Sequence, residues 1–130
     1  MANAFSYKDQ TYHVGDEVKL NYRIKEDDKE RLQLFDGIIV KVRGDSLNTR
    51  MVTIRKISRS GIGVERIIPL SSPLINDIKL VKKSSNRRAK IYYIRNLSDQ
   101  QLRTKLYKDT AKRQVKKTVG KSKRVKKVKA

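Results

Sequence analysis

Residues 17–25, EVKLNYRIK, alternate without a break. Val18, Leu20, Tyr22 and Ile24 point one way; Glu17, Lys19, Asn21, Arg23 and Lys25 point the other. A period of two sustained over this length specifies a strand with one buried face. His13-Val14-Gly15-Asp16 leads into it as a turn, and KEDDKE at 25–30 is a polar hairpin connection. A second run places Leu32 and Leu34 on one face, meets Asp36-Gly37, and resumes at Ile38, Val40 and Val42. Phe35 interrupts that alternation, which predicts a bulge or sharp bend near Asp36-Gly37, of the kind that curls a sheet.

Gly44-Asp45-Ser46-Leu47-Asn48 has the composition of a loop. MVTIRKI (51–57) and VERIIPL (64–70) are two further strands rich in β-branched residues, and residues 78–82 make a short last one. Five or six short strands with glycine-containing corners describe a small, strongly bent barrel or sandwich. A doubly wound fold needs helices between its strands, and this stretch has no room for them.

The texture changes after residue 84. Ala89, Tyr92, Tyr93 and Asn96/Leu97 fit helical spacing, and the segment stays open between helix and irregular chain. Ser98 followed by Gln101 is a capping-box signature. A helix from about 99 would carry Leu102, Leu106, Ala111, Val115 and Val119 on a thin apolar stripe and end near Gly120. The final KSKRVKKVKA is a disordered basic tail by composition. The division that follows is a leader (1–11), a β domain (12–97) and a basic helical extension with its tail (98–130). On that division, removing 99–130 should leave the β domain folded and weaken its hold on a polyanion.

Charge narrows the partner. The 130 residues carry 33 Lys and Arg against 13 acids, a formal +20. It is unevenly placed: residues 81–130 hold 19 basic and 2 acidic side chains, net +17, leaving +3 for the first 80. A near-neutral body with a very basic last third suits nucleic acid or an anionic membrane. With no cysteine, disulfides and thiolate metal sites are excluded. No apolar run approaches the roughly 20 residues of a membrane span, and MANAFSYKDQ lacks the regions of a secretory signal. A cytoplasmic protein is expected.

RKISRSGIGVERIIPLSSP at 55–73 combines two closely spaced glycines with Arg55, Lys56, Arg59 and Arg66. A dinucleotide fingerprint needs a third glycine where Arg66 stands, and a helix rather than a strand to follow. The Walker pattern is absent as well. A hairpin turn with positive φ at Gly61 and Gly63 accounts for the glycines. It does not account for the cations, whose guanidinium forks bind phosphate oxygens bidentately.

Several blocks in series, FDGIIV, TIRKIS, GIGVERIIPLSSP and RRAKIYYIR, with GDEVKLNYRIKEDDKERLQLFDG ahead of them, resemble the bacterial-type large-subunit ribosomal protein L nineteen family over roughly 12–97. The resemblance implies a mainly β fold, a small SH3-like barrel with a basic C-terminal helical extension and tail. It further implies a structural constituent of the large ribosomal subunit that binds its ribosomal RNA. The family lies near the subunit interface beside ribosomal protein L fourteen and contributes to a bridge to small-subunit RNA. Members usually open with a helix, which this leader holds only in part, if at all.

Carried onto this chain, the resemblance places the hairpin (Arg55, Lys56, Arg59, Arg66) and the following basic segment (Arg87, Arg88, Lys90, Arg95) against RNA. Tyr92 and Tyr93 are candidates to stack on a base or to pack on the barrel. Arg103, Lys105, Lys112 and Arg113 continue the basic surface along the extension. No catalytic or metal site and no cofactor is expected. His13 is the only histidine, so no base–nucleophile–orienter set can be assembled. Glu26, Asp27, Asp28 and Glu30 interleave with Lys25, Lys29 and Arg31, as at a solvated hairpin tip. The rival binding module is a nucleoid- or transcription-associated protein with a small β-barrel. Membrane attachment is disfavoured, because the tail has neither aromatic anchors nor a lipidation site.

Overall fold

In the computed structural model, which describes residues 3–107, the chain is mainly β. Seven strands run β1 Ala4–Tyr7, β2 Gln10–His13, β3 Glu17–Glu26, β4 Lys29–Arg43, β5 Met51–Ile57, β6 Gly63–Pro69 and β7 Ile75–Lys82. A 3-10 turn, Tyr92–Asn96, follows, and then a helix, α1, from residue 99 to the end of the described chain at 107. Strands β3 to β6 form an antiparallel meander, and β7 returns beside β3, giving the order β6-β5-β4-β3-β7.

The alternation in β3 gives the expected burial: Val18 and Leu20 are wholly buried, Tyr22 and Ile24 partly. Strand β4 departs from expectation. Its pairing with β3 is continuous from Glu26↔Lys29 to Glu17↔Ile38, so no bulge sits at Asp36-Gly37. Phe35, Gly37 and Ile39 form the buried face there, and Leu32 and Leu34 point outward, 61% and 53% exposed. The irregularity comes at Val40, where the register with β5 shifts between Ile39 and Lys41. One extra residue turns Val40 and Val42 inward, which reverses the phase of the pattern. Leu32 and Leu34 lie on the part of the β3–β4 ribbon that outruns β5, so no core is there to receive them. Its tip is the two-residue turn Asp27-Asp28, flanked by the ion pairs Arg31–Glu26 at 3.0 Å and Lys25–Glu30 at 3.8 Å.

The leader is not helical among the described residues: β1 and β2 form a hairpin. Lys8 and Asp9 take φ of 43° and 63°, the left-handed pair that a two-residue hairpin loop needs. Opposed Phe5 and Tyr12 stack with centroids 5.2 Å apart, and the Tyr12 hydroxyl donates to Ile78 O at 2.6 Å. This hairpin is therefore docked through its aromatic face onto β7.

One hydrophobic core joins Phe5 and Tyr12, the inner positions of the sheet, Ile91 and Ile94, and Leu102 and Leu106 of α1. Helix α1 starts where the capping signature placed it, with Ser98 N–H donating to Gln101 Oε1 at 3.2 Å. It packs against the sheet beside a groove lined by Ile38, Ile57, Ile94, Leu102 and Tyr107. Each fully buried Leu or Ile contributes about 1.5–3 kcal/mol relative to exposure. Ala111, Val115, Val119, Gly120 and the tail lie outside the described residues.

Candidate nucleic-acid interface

Strands β5 and β6 turn at Ser58–Gly63, closed by Ser58 N–H donating to Ile62 O at 2.8 Å. Gly61 takes φ +80° in open space, as the turn requires. Gly63 does not adopt a positive φ, contrary to expectation. It is small for another reason: a Cβ there would run into the Arg55 guanidinium. Gly63 makes room for a cation rather than for a backbone twist.

The register Ile54↔Arg66, Arg55↔Glu65, Lys56↔Val64 separates the hairpin's cations. Neighbours along a strand point to opposite faces, so Lys56 and Arg66 share one face and Arg55 takes the other. Over Phe35 lie Arg66, 5.0 Å from the centroid, and Lys56, 5.8 Å away, with Lys56 also paired to Asp36 at 2.8 Å. That contact holds the Asp36 carboxyl below its ordinary value. Arg59 is exposed within the turn.

On the opposite face Arg55 and Arg95 converge on Glu65. Arg55 NH1 donates to Oε1 at 3.0 Å, Arg95 Nε to the same oxygen at 2.7 Å, and Arg95 NH2 to Oε2 at 2.9 Å. Two guanidinium groups on one carboxylate leave a net positive charge and lock the 3-10 turn to the hairpin. The Glu65 carboxyl is held below its usual 4.5, first by the Arg95 hydrogen bonds and then by Arg55, against opposing desolvation. Because the folded pKa is the lower one, ionised Glu65 adds stability that is complete above the unfolded value and lost as pH falls through the folded one. Urea midpoints taken from pH 7 down to pH 3 should therefore fall less steeply for Glu65→Gln than for the unaltered chain. Parallel curves would show that the clamp contributes nothing.

Segment 84–97 is shaped by hydrogen bonds rather than by a helix. Ser84 N–H donates to Asp16 Oδ1 at 2.8 Å, and Asn86 Nδ2 donates to Val14 O at 3.1 Å and to Arg88 O at 2.7 Å. Lys90 bridges to Lys41 of β4. The side chains that go inside are Ile91 and Ile94, both wholly buried, three apart as a 3-10 turn demands. Helical spacing had favoured the tyrosines instead. Tyr93 is partly buried on the core with Lys105 4.5 Å and Arg88 5.5 Å from its ring, and Tyr92 is 40% exposed.

The structure thus gathers Arg88, Tyr93 and Lys105 on one side and ties Arg55, Arg95 and Glu65 together on another. Arg87 and Lys90 are exposed on the connecting segment. Arg103 borders the groove beside α1 together with Glu17, Asp36, Asp99, Arg55 and Lys56. Lys112 and Arg113 lie outside the described residues. Sequence reading passed over Lys41 and Arg43. Their signal was the outward phase of β4, since both sit on the far side from Val40 and Val42. Among the described residues no cluster of acids and histidine suits a metal ion, and no helix is long and apolar enough to cross a membrane.

The family model described as ribosomal protein L19 matches residues 2–107. The large ribosomal subunit protein bL19 of Thermus thermophilus is 48% identical over 98 residues, covering 75% of this chain and 66% of that relative. The Chloroherpeton thalassium protein of the same name is 52% identical over 84 residues, 65% of this chain and 68% of its own. For Pseudothermotoga lettingae the values are 49% over 86 residues, 66% and 73%. The matched stretch therefore spans about two thirds to three quarters of these relatives.

Proposed function

Because the chain belongs to the ribosomal protein L19 family, structural rather than enzymatic proteins of the large ribosomal subunit in the cytoplasm, we propose that it binds large-subunit ribosomal RNA near the subunit interface. In that position it lies beside ribosomal protein L fourteen and contributes to a bridge to small-subunit RNA. The observation that carries the reading is the set of cations left without acids. Arg59, Arg66, Arg87, Arg88, Lys90 and Lys105 meet no carboxylate within ion-pair distance among the described residues, and they are fixed around a rigid apolar core. Phosphate oxygens supply the missing anions. Beyond residue 107 the sequence adds eleven more Lys and Arg against one acid.

Mechanistically the output is architecture. Binding energy comes from counterion release as the cations neutralise phosphates, and orientation comes from the stiffness of the sheet. With about ten phosphate contacts, log K against log salt should fall with a slope of roughly −7 to −9. Filter binding of the full chain to large-subunit ribosomal RNA across a salt series tests this, and a nearly flat response would overturn it. Naked duplex DNA bound as tightly as ribosomal RNA would favour a nucleoid-associated role instead. For the bridge, subunit reassociation should slow when large subunits lack the protein.

A further inference from the structure

Tyr92 opens the 3-10 turn with its ring exposed, while Ile91 before it and Ile94 after it are wholly buried. The backbone beneath the ring is thus anchored, and the ring is held outward at little conformational cost. Two cations lie over it, Arg95 at 5.0 Å and Lys41 at 5.4 Å from the centroid. They are not equivalent. Arg95 is bonded twice to Glu65, whereas Lys41 meets no carboxylate within ion-pair distance among the described residues. An ammonium on a flexible four-carbon stem moves readily to a new anion.

A groove shares Lys41 with the ring. The Lys41↔Lys90 bridge and the Ile91 N–H bond to Val40 O lay the segment before Tyr92 alongside β4. The groove between them has Val42 and Ala89 as its apolar lining, Lys41, Arg43 and Lys90 as cations, and Asp45 as its one acid, past the turn at Gly44. Lys41 and Arg43 are two apart on one face of β4, about 7 Å along the strand, a step that successive phosphates of a single strand can follow.

Resting on the RNA-binding reading above, we propose that this groove and Tyr92 form a receptor for one unpaired nucleotide of RNA. The base stacks on the Tyr92 ring, displacing Lys41, and the flanking phosphates take Lys41, Arg43 and Lys90. A continuous duplex does not fit the description, because its base faces are already occupied by their neighbours and cannot receive an aromatic ring. Arg95 remains in place under the Glu65 clamp and keeps the ring oriented.

The test uses the full chain and two RNA hairpins of equal charge, one perfectly paired and one with a single bulged purine. The bulged hairpin should bind more tightly. Tyr92→Ala should weaken it about tenfold, within the range for loss of one base–aromatic stack, and should change binding of the paired hairpin less than twofold. Tyr92→Phe should behave as the unaltered chain, because the ring and not the hydroxyl is used. Equal affinity for the two hairpins, or an equal effect of Tyr92→Ala on both, would overturn the receptor and leave general RNA binding standing. Binding of neither hairpin would overturn the RNA-binding reading itself.

Discussion

A chain ended at residue 107 is expected to melt cooperatively near the full-length temperature, whereas one ended at residue 98 is expected to lose most of its stability. Leu102 and Leu106 are 3% and 2% exposed and belong to the same core as the sheet. The carbonyl of Leu106 accepts from Ser85 N–H at 3.1 Å and from its hydroxyl at 3.2 Å. The Tyr107 hydroxyl, its pKa pushed up by burial, donates to Gly15 O at 3.2 Å. Truncating one buried leucine costs about 2–5 kcal/mol, so losing both approaches the roughly 5–15 kcal/mol that holds a typical domain together. The burial of these leucines argues against the expectation, drawn from the domain division, that removing 99–130 leaves the β domain folded. Thermal unfolding of the two truncations and of Leu102→Ala and Leu106→Ala checks it. An unchanged melt for the chain ended at 98 would make α1 an accessory. The chain ended at 107 should also show a shallower salt slope on RNA, since it lacks eleven cations and one acid.

Asp16→Ala should be the most damaging single substitution outside the leucines. Asp16 is wholly buried, and its carboxylate accepts from His13 N–H at 2.9 Å and from Ser84 N–H at 2.8 Å. Its own carbonyl accepts from Ile39 N–H at 3.1 Å. One side chain therefore ties the end of β2 to the chain leaving β7, beside β4. Alanine strands two partly buried donors, each costing up to about 1–3 kcal/mol, so a loss of roughly 2–4 kcal/mol follows. Asp16→Asn keeps one carbonyl oxygen but turns an amide donor toward the second N–H, so it should recover only part of the loss. Urea unfolding measures both, the midpoint moving while the slope stays constant. A midpoint shift for Asp16→Ala no larger than that of an exposed alanine substitution would refute the assignment.

Particular residues show what was legible in the sequence. Val18 and Leu20 declared β3 because their face of the sheet packs into the shared core. Leu32 and Leu34 misled because an apolar pattern reports burial only where something exists to bury against, and the ribbon there extends past its neighbour. Phe35, taken as an interruption, is the true core residue. The first hairpin escaped notice because its turn uses Lys8 and Asp9 in a conformation usually signalled by Asn or Gly. Leu102 and Leu106 were legible as a stripe, since α1 is a regular helix. Ile91 and Ile94 were not, since a single 3-10 turn is too short to show a period.

For the candidate site, proximity in sequence placed Arg55, Lys56 and Arg66 together. Their strands put them on two faces, and two of the three already hold carboxylates. A charge count cannot distinguish a cation that is engaged from one awaiting an anion. Glu65, an acid inside a basic run, proves to be the residue that orients Arg55 and Arg95. Acids of that kind are visible in a sequence only as exceptions.

The Tyr107–Gly15 hydrogen bond joins positions 92 residues apart, and it has a temporal side. Contacts of such long range are the slow ones to form, because nearly the whole chain must be gathered before they reward it. During vector-like synthesis the first hairpin and meander are made well before the segment that completes their packing exists. The sticky cationic end is thus translated only after every described residue of the apolar core has been made, an order that lets the body assemble before that charge can engage nucleic acid.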